Sequence, residues 1–404
     1  MKKLTALILV LALAIGLTGC YGGELKLYNA FAKMQDITSV EADTEIGFTM
    51  ETEGFSEDEQ KILEQVVSTL NDSKIKLHQK QTMNKDKTIS KAIIDTNLKS
   101  KDNDMDMKIW LDMDASGDDL KLVEIFKLPQ SLMNTAFPEE ASKEYVVYDI
   151  ASQLNAEDKE VDMKEIMEFS KEFQSKMGEF MKEFSKDFKP SKNMIVAKGD
   201  KLVNGQKLEM FELKLNDAEL KELVKYIVNY SLDKEDGMQL VKDYLKAVMS
   251  VADVPEAEKA EMEKELKEGM EEFENQLPEV KAKFNEFMEK YKNVKVLGDK
   301  GIVIEYGINK EGYIAYENGS INLELNLEDI AKHMGKEDLE IKGIIRLGFN
   351  YNSKLYNINS DDVKIEMPKV DEKNSIDLFK MMELQMKAVE EEAKTVETET
   401  VETK

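Results

Sequence analysis

The sequence predicts an α+β protein: one large curved antiparallel β-sheet carrying helices. Three observations support this. Segments with two-residue alternation follow one another from residue 39 to 127, separated only by short polar breaks. A second group of alternating segments closes the folded part, between residues 294 and 358. Between and beside these groups, apolar residues recur every third or fourth position, the spacing of a helix with one buried face.

Taken in order, the chain begins with Lys2 and Lys3, then an apolar run from Leu4 to Leu17, then Thr18, Gly19 and Cys20. A basic start, a short apolar stretch and small residues before a cut describe a secretory signal peptide over residues 1–19. The run is shorter than the about 20 apolar residues that a spanning helix needs. Leu17-Thr18-Gly19-Cys20 resembles the lipobox of bacterial lipoproteins. The resemblance implies that Cys20, the only cysteine, receives a diacylglyceryl group on its sulfur and becomes the mature N-terminus. A thiolate is well suited to forming that thioether, and two acyl chains give stable anchoring. The expected partner is therefore a membrane, held through the anchor at its extracytoplasmic face.

Composition narrows the classes further. Eighty-two acidic residues against 56 basic ones leave a net charge of −26, which excludes nucleic acid as a natural partner. The same charge opposes lying flat on anionic lipid, so the acyl chains must do the anchoring. Arg346 is the lone arginine, so bidentate arginine clamps for phosphate or carboxylate ligands are essentially unavailable.

Residues 20–27 read as a lipidated tether and Leu27 to Met34 as a helical turn. In SVEADTEIGFTMETEG, Val40, Ala42, Thr44, Ile46, Phe48 and Met50 share one face of a strand. A helix from Ser56 to Leu70 follows, with Ser56 and Glu59 at capping-box spacing. SKIKLHQKQTM, KTISKAIIDTNLK, DMDMKIWLDMD and DLKLVEIFKLP then form an antiparallel meander, with polar turns at 84–86, 100–104 and 115–118. KEYVVYDI adds a strand after a loop containing Pro138.

A long amphipathic helix follows, MKEIMEFSKEFQSKMGEFMKEFSKDF, and a hairpin turns at Asn204-Gly205. Helices are expected at 217–230, 235–251 and 255–291. Four strands complete the sheet: VKVLGDKGIVIEYGINK, GYIAYENG, INLELNLED and LEIKGIIRLGFNYNSKLYNIN. Residues 371–404 read as a short helix and an acidic, low-complexity tail. One sheet over residues 28–370 is preferred to two domains, because no linker separates the halves.

Few residues point to catalysis. His78 and His333, the only histidines, stand alone, and nucleophile, phosphate-loop and metalloprotease motifs are absent. DMDASGDD opens like a calcium loop, but Val123 occupies the place of the bidentate Glu, which favours a plain turn. No cofactor or metal is expected beyond the lipid on Cys20. The helical stripe containing Phe169, Phe173, Met177, Phe180, Met181 and Phe184 is first of all core. Its soft Met and planar Phe side chains also suit the lining of a cavity for acyl chains.

The lipobox, the turn LYNAFAKM, the strand ITSVEADTEIGFTM and the meander with helices together resemble the LolA-like superfamily, LprG- and LppX-like lipoproteins included. That resemblance implies a half-open barrel whose concave face, covered by helices, binds lipid or lipoprotein acyl chains. The helical segment at about 217–291 is longer than such a domain requires. The expected function is non-catalytic binding or shuttling of a hydrophobic ligand. The alternative is a structural or partner-binding lipoprotein with a filled core.

Overall fold

The computed structural model describes residues 23–101, 103–117, 120–150, 163–189, 192–251, 256–333, 335 and 342–379. Cys20, the stretch expected to be a signal peptide and residues 380–404 lie outside them. Helix α1 (Gly23–Met34) precedes the long strand β1 (Ser39–Glu53), then helix α2 (Glu57–Asn71). Ser56 caps α2 through the expected reciprocal box with Glu59. The meander follows as β2 (Lys74–Met83), β3 (Ile89–Lys99), β4 (Asp104–Asp114) and β5 (Lys121–Lys127). Helix α3 (Gln130–Ala136) and a 3-10 turn lead into β6 (Tyr145–Asp149).

The second half begins with α4 (Met163–Asp187), then the hairpin β7 (Ile195–Val203) and β8 (Gln206–Leu215). Asn204 and Gly205 both take positive φ, as a tight two-residue hairpin turn requires. Helices α5 (Asp217–Asp233), α6 (Glu235–Val251) and α7 (Glu256–Lys290) follow. The chain continues through β9 (Leu297–Ile308), β10 (Ile314–Asn326), α8 (Leu327–His333), β11 (Ile344–Tyr356) and β12 (Ser375–Asp377).

All twelve strands join one sheet in the order β12-β6-β5-β4-β3-β2-β1-β11-β10-β9-β8-β7. Every pairing is antiparallel except β12 with β6. The two meanders therefore meet at the β1–β11 ladder in the middle, which is why neither half is a complete sheet alone. Thirteen residue pairs bind β1 to β11 without a slip, so the face assignment passes unbroken from one half to the other.

Four expectations are corrected. Helix α1 starts at Gly23, so the stretch read as a tether is already helical there, and Leu27 is buried in the core. GYIAYENG and INLELNLED form one strand, β10, with Asn318-Gly319 inside it. Glycine is used there for space: a Cβ on Gly319 would lie 2.1 Å from Cε1 of the Tyr351 ring on the neighbouring strand. The last three residues of INLELNLED, read as strand, instead open helix α8. Residues 375–377, placed in a terminal helix, are the edge strand β12.

The main core lies between the β7–β10 end of the sheet and helices α1, α4, α5 and α6. Phe211, Leu213, Leu215, Ile302, Ile304 and Tyr306 from the strands meet Leu27, Phe184, Phe188, Leu223 and Ile227 from the helices. Helix α7 packs on α5 and α6, forming an outer layer. A smaller core at the opposite end of the sheet groups Met133 of α3 with Val146, Phe126 and Ile376.

Candidate functional site

Strand register assigns every side chain in the middle of the sheet to one of two faces. Leu213 and Ile304 lie in the helix-covered core, and the pairing Ile304–Gly319–Tyr351–Ile46–Ile75–Leu98–Met105 carries that same inward face across seven strands, β9 to β4. At the far end, Phe126, Val146 and Ile376 lie on this face too, under α3. Both cores are thus on one side of the sheet, with a stretch between them.

That stretch is mostly apolar, with Ser353, Thr44, Thr96 and Gln79 as its uncharged polar side chains in two successive rows. Its rows include Ser353–Thr44–Leu77–Thr96–Met107 and Leu355–Ala42–Gln79–Ile94–Ile109. The row immediately behind the first, on the opposite face, reads Lys354–Asp43–His78–Asp95–Lys108. The two-residue period of each strand therefore puts this charged row behind the first, while elsewhere the opposite face carries its own apolar row, Ile93–Trp110–Ile125–Val147. No described helix packs substantially on β2, β3 or β4. Ile75, Leu77, Ile94, Leu98, Met105, Met107 and Ile109 are accordingly only half-buried. From β11 to β4 the surface spans four strand spacings, about 19 Å.

Helix α2 borders one end of this surface. β2 pairs with β1 only as far as Gly47, leaving the β1 edge free beyond it. Asn71 at the end of α2 takes the place of the missing strand. Its Oδ1 accepts from the Met50 N–H (2.6 Å) and its Nδ2 donates to the Met50 carbonyl (3.1 Å). Phe48 and Phe349 meet edge to face beneath, 5.8 Å apart.

The seam between the helical core and the open surface is polar at one point. Glu317 is register partner to Tyr306 on one side and Ser353 on the other. Burial pushes its carboxyl above the usual carboxylate range. The Tyr306 and Tyr351 hydroxyls are pushed up by burial as well, with the Glu317 charge adding to the shift. Thr44 and Ser353 complete this corner with a hydroxyl–hydroxyl bond of 2.8 Å.

The residues expected to line a cavity fall in two groups. Phe180 and Phe184 are in the main core, where Phe184 is fully buried against Phe188, Tyr226 and Tyr230. Phe173, Met177 and Met181 pack partly buried against that core, and Phe169 stacks on Phe173 at 5.5 Å. Met34 of α1 also flanks it, as do Ile321, Leu323 and Tyr351 on the sheet side. The half-buried strand residues and Glu317 were not singled out from sequence. The alternation through 317, 319, 321 and 323 was the available signal, and the Asn-Gly pair interrupted it.

Other candidates are accounted for by local pairing. His78 lies on the charged face, its Nδ1 2.8 Å from Asp43 Oδ1, and Tyr356 donates to the same carboxylate. In the acidic loop, Asp112 pairs with Lys121, and Asp114 accepts from the Ser116 N–H and hydroxyl, an Asx turn. Among the described residues no group of three His, Cys, Asp or Glu side chains is placed to hold a metal ion. A cleft of about 470 Å³ beside α1 is lined by Lys26, Lys33, Lys207 and Lys310. Lys26 pairs with Glu209, Lys207 with Asp200 and Lys310 with Glu311, which neutralises three of the four charges. No family model and no curated protein matches the chain.

Proposed function

We propose that the protein is anchored to the outer face of a membrane through Cys20 and binds or shuttles a hydrophobic ligand without catalysis. On this reading the sheet curves as a half-open barrel of the LolA-like kind, and the acyl part of the ligand lies on the inward face of β11 and β1–β4. The observation that supports it is the apolar surface left between two helix-capped cores on the same side of one sheet. Its span of about 19 Å matches a chain from one leaflet, since the hydrocarbon core of a bilayer is about 30 Å thick. Each Å² of apolar ligand and protein surface removed from water contributes about 25 cal/mol. Met105, Met107 and Met113 on β4 give that surface side chains that adapt to tails of different shape. The half-buried Phe169, Phe173, Met177 and Met181 would extend the lining from the helical side, with Phe180 and Phe184 as their support.

Mass spectrometry of the full chain after gentle detergent extraction tests this reading. A stoichiometric co-purifying amphiphile is the expected result, and a ligand-free protein that takes up no added acyl chain would refute it. A second reading, a partner-binding envelope protein, draws on α2: Ile62 and Val66, one turn apart, are 71 and 45 % exposed. Replacing both by Gln separates the two, because it leaves acyl binding intact only on the first reading.

A further inference from the structure

The inward face is selective in its charge. Among the paired residues of β10, β11 and β1–β5, the register places only Glu124 and Glu317 as charged side chains on that face, and no Lys or Arg. The lysines of these strands, such as Lys76, Lys80, Lys91 and Lys108, all fall on the opposite side. Glu124 lies toward the α3 end, opposite Leu111 and Tyr148. Glu317 stands at the seam where the open surface begins, next to the Tyr351 ring that lies over Gly319. Among the described residues neither the Glu317 carboxyl nor the Tyr351 hydroxyl has a hydrogen-bond partner. Both groups reach the surface, since Trp110 Nε1 is the one fully buried side-chain polar atom without a partner among the described residues, and a ligand that covers them must supply hydrogen bonds in place of those from water.

We propose that the ligand carries an uncharged, hydroxyl-bearing head group, which sits between Glu317 and Tyr351 while its chain crosses β1 to β4. This rests on the reading of the inward face as an acyl-binding surface. A phosphate or carboxylate head would meet the Glu317 carboxyl and no cation on that face, with nothing to offset its desolvation. An ammonium head would have to leave water to meet a single carboxylate, and burial favours the protonated form of that carboxyl. A hydroxyl both donates and accepts, and so satisfies the carboxyl and the phenol together.

Three probes with one tail separate these cases: dodecanol, dodecanoate and dodecylamine, each displacing a fluorescent acyl probe from the full chain carrying Cys20→Ser. At mildly alkaline pH dodecanol is expected to bind about tenfold more tightly than dodecanoate, and Glu317→Gln to shrink that ratio to about threefold or less. The emission of Trp110, the only tryptophan and on the opposite face, checks that the variant is folded. Equal binding of dodecanol and dodecanoate, or a ratio that Glu317→Gln leaves unchanged, overturns the proposal. So does dodecylamine binding tighter than dodecanol, which would make Glu317 an ion-pair partner. Failure of all three probes to bind overturns the acyl-binding reading itself.

Discussion

Leu77 and Leu213 occupy the same face of the same sheet and differ in what covers them, so truncating each to Ala measures that cover directly. Leu213 on β8 is fully buried beneath α1, α4 and α5. Removing three of its carbons forfeits about 2.4 kcal/mol at about 0.8 kcal/mol per buried methylene. The cavity left in a closed core adds to this and brings the loss to about 3–5 kcal/mol. Leu77 on β2 is only partly buried, so somewhat less than the full transfer term applies, and no closed cavity forms. Leu77→Ala is therefore expected to cost about 1.5–2 kcal/mol, at least about 1 kcal/mol less than Leu213→Ala. Urea unfolding followed by the fluorescence of Trp110, which is 7 % exposed and lies on the other face, reads both variants with one probe. Losses equal within about 0.5 kcal/mol would show that Leu77 lies in a closed core, and the binding surface would have to be abandoned.

Other consequences follow from local geometry. Asp217 holds the segment before β9 to the first turn of α5. Its Oδ1 accepts from the Val296 and Leu297 N–H groups at 2.8 and 2.9 Å, and its Oδ2 accepts from Lys221 at 2.6 Å. Burial raises its pKa, but the Lys221 bond and the two N–H bonds outweigh that, so the carboxyl ends below its usual value. A carboxyl lowered on folding stabilises the protein above its unfolded pKa, and that contribution is lost as pH falls through the folded one. Asp217→Ala should cost about 2–3 kcal/mol at neutral pH in urea titrations and flatten the loss of stability below about pH 4. Gly319→Ala drives a Cβ into the Tyr351 ring and should cost about 1–3 kcal/mol. In a double-mutant cycle Tyr351→Ala should relieve most of that penalty, and additivity of the two would refute the proposed contact.

Much of the architecture was legible because period and caps are local signals. The alternation of Val40 to Met50 matches the face that register assigns, and Ser56 with Glu59 marks the start of α2 within a residue. Asn204-Gly205 turns as that dipeptide should. Asn318-Gly319 carries the same letters inside a strand, because a ring from the next strand requires a residue without a Cβ there. That contact spans more than thirty positions of sequence, and no local rule reports it. The candidate site was harder to read for the same reason. The stripe from Phe169 to Phe184 is visible in a single helix, and it drew attention to α4. The inward face is assembled from at least seven strands whose order, with β11 inserted beside β1, no single segment encodes. Glu317 has meaning only once that order places it at the edge of an apolar surface without a cation.

Met107 and Lys108 are consecutive residues of β4 whose side chains point to opposite faces, and they provide the most direct test of the central claim. In the full chain with Cys20→Ser, Met107→Cys and Lys108→Cys are each labelled with an environment-sensitive fluorophore and titrated with dodecanol. The account predicts a saturable blue shift at position 107 and none at 108. Equal responses at both positions, or none at 107 under conditions where dodecanol binds, would contradict it.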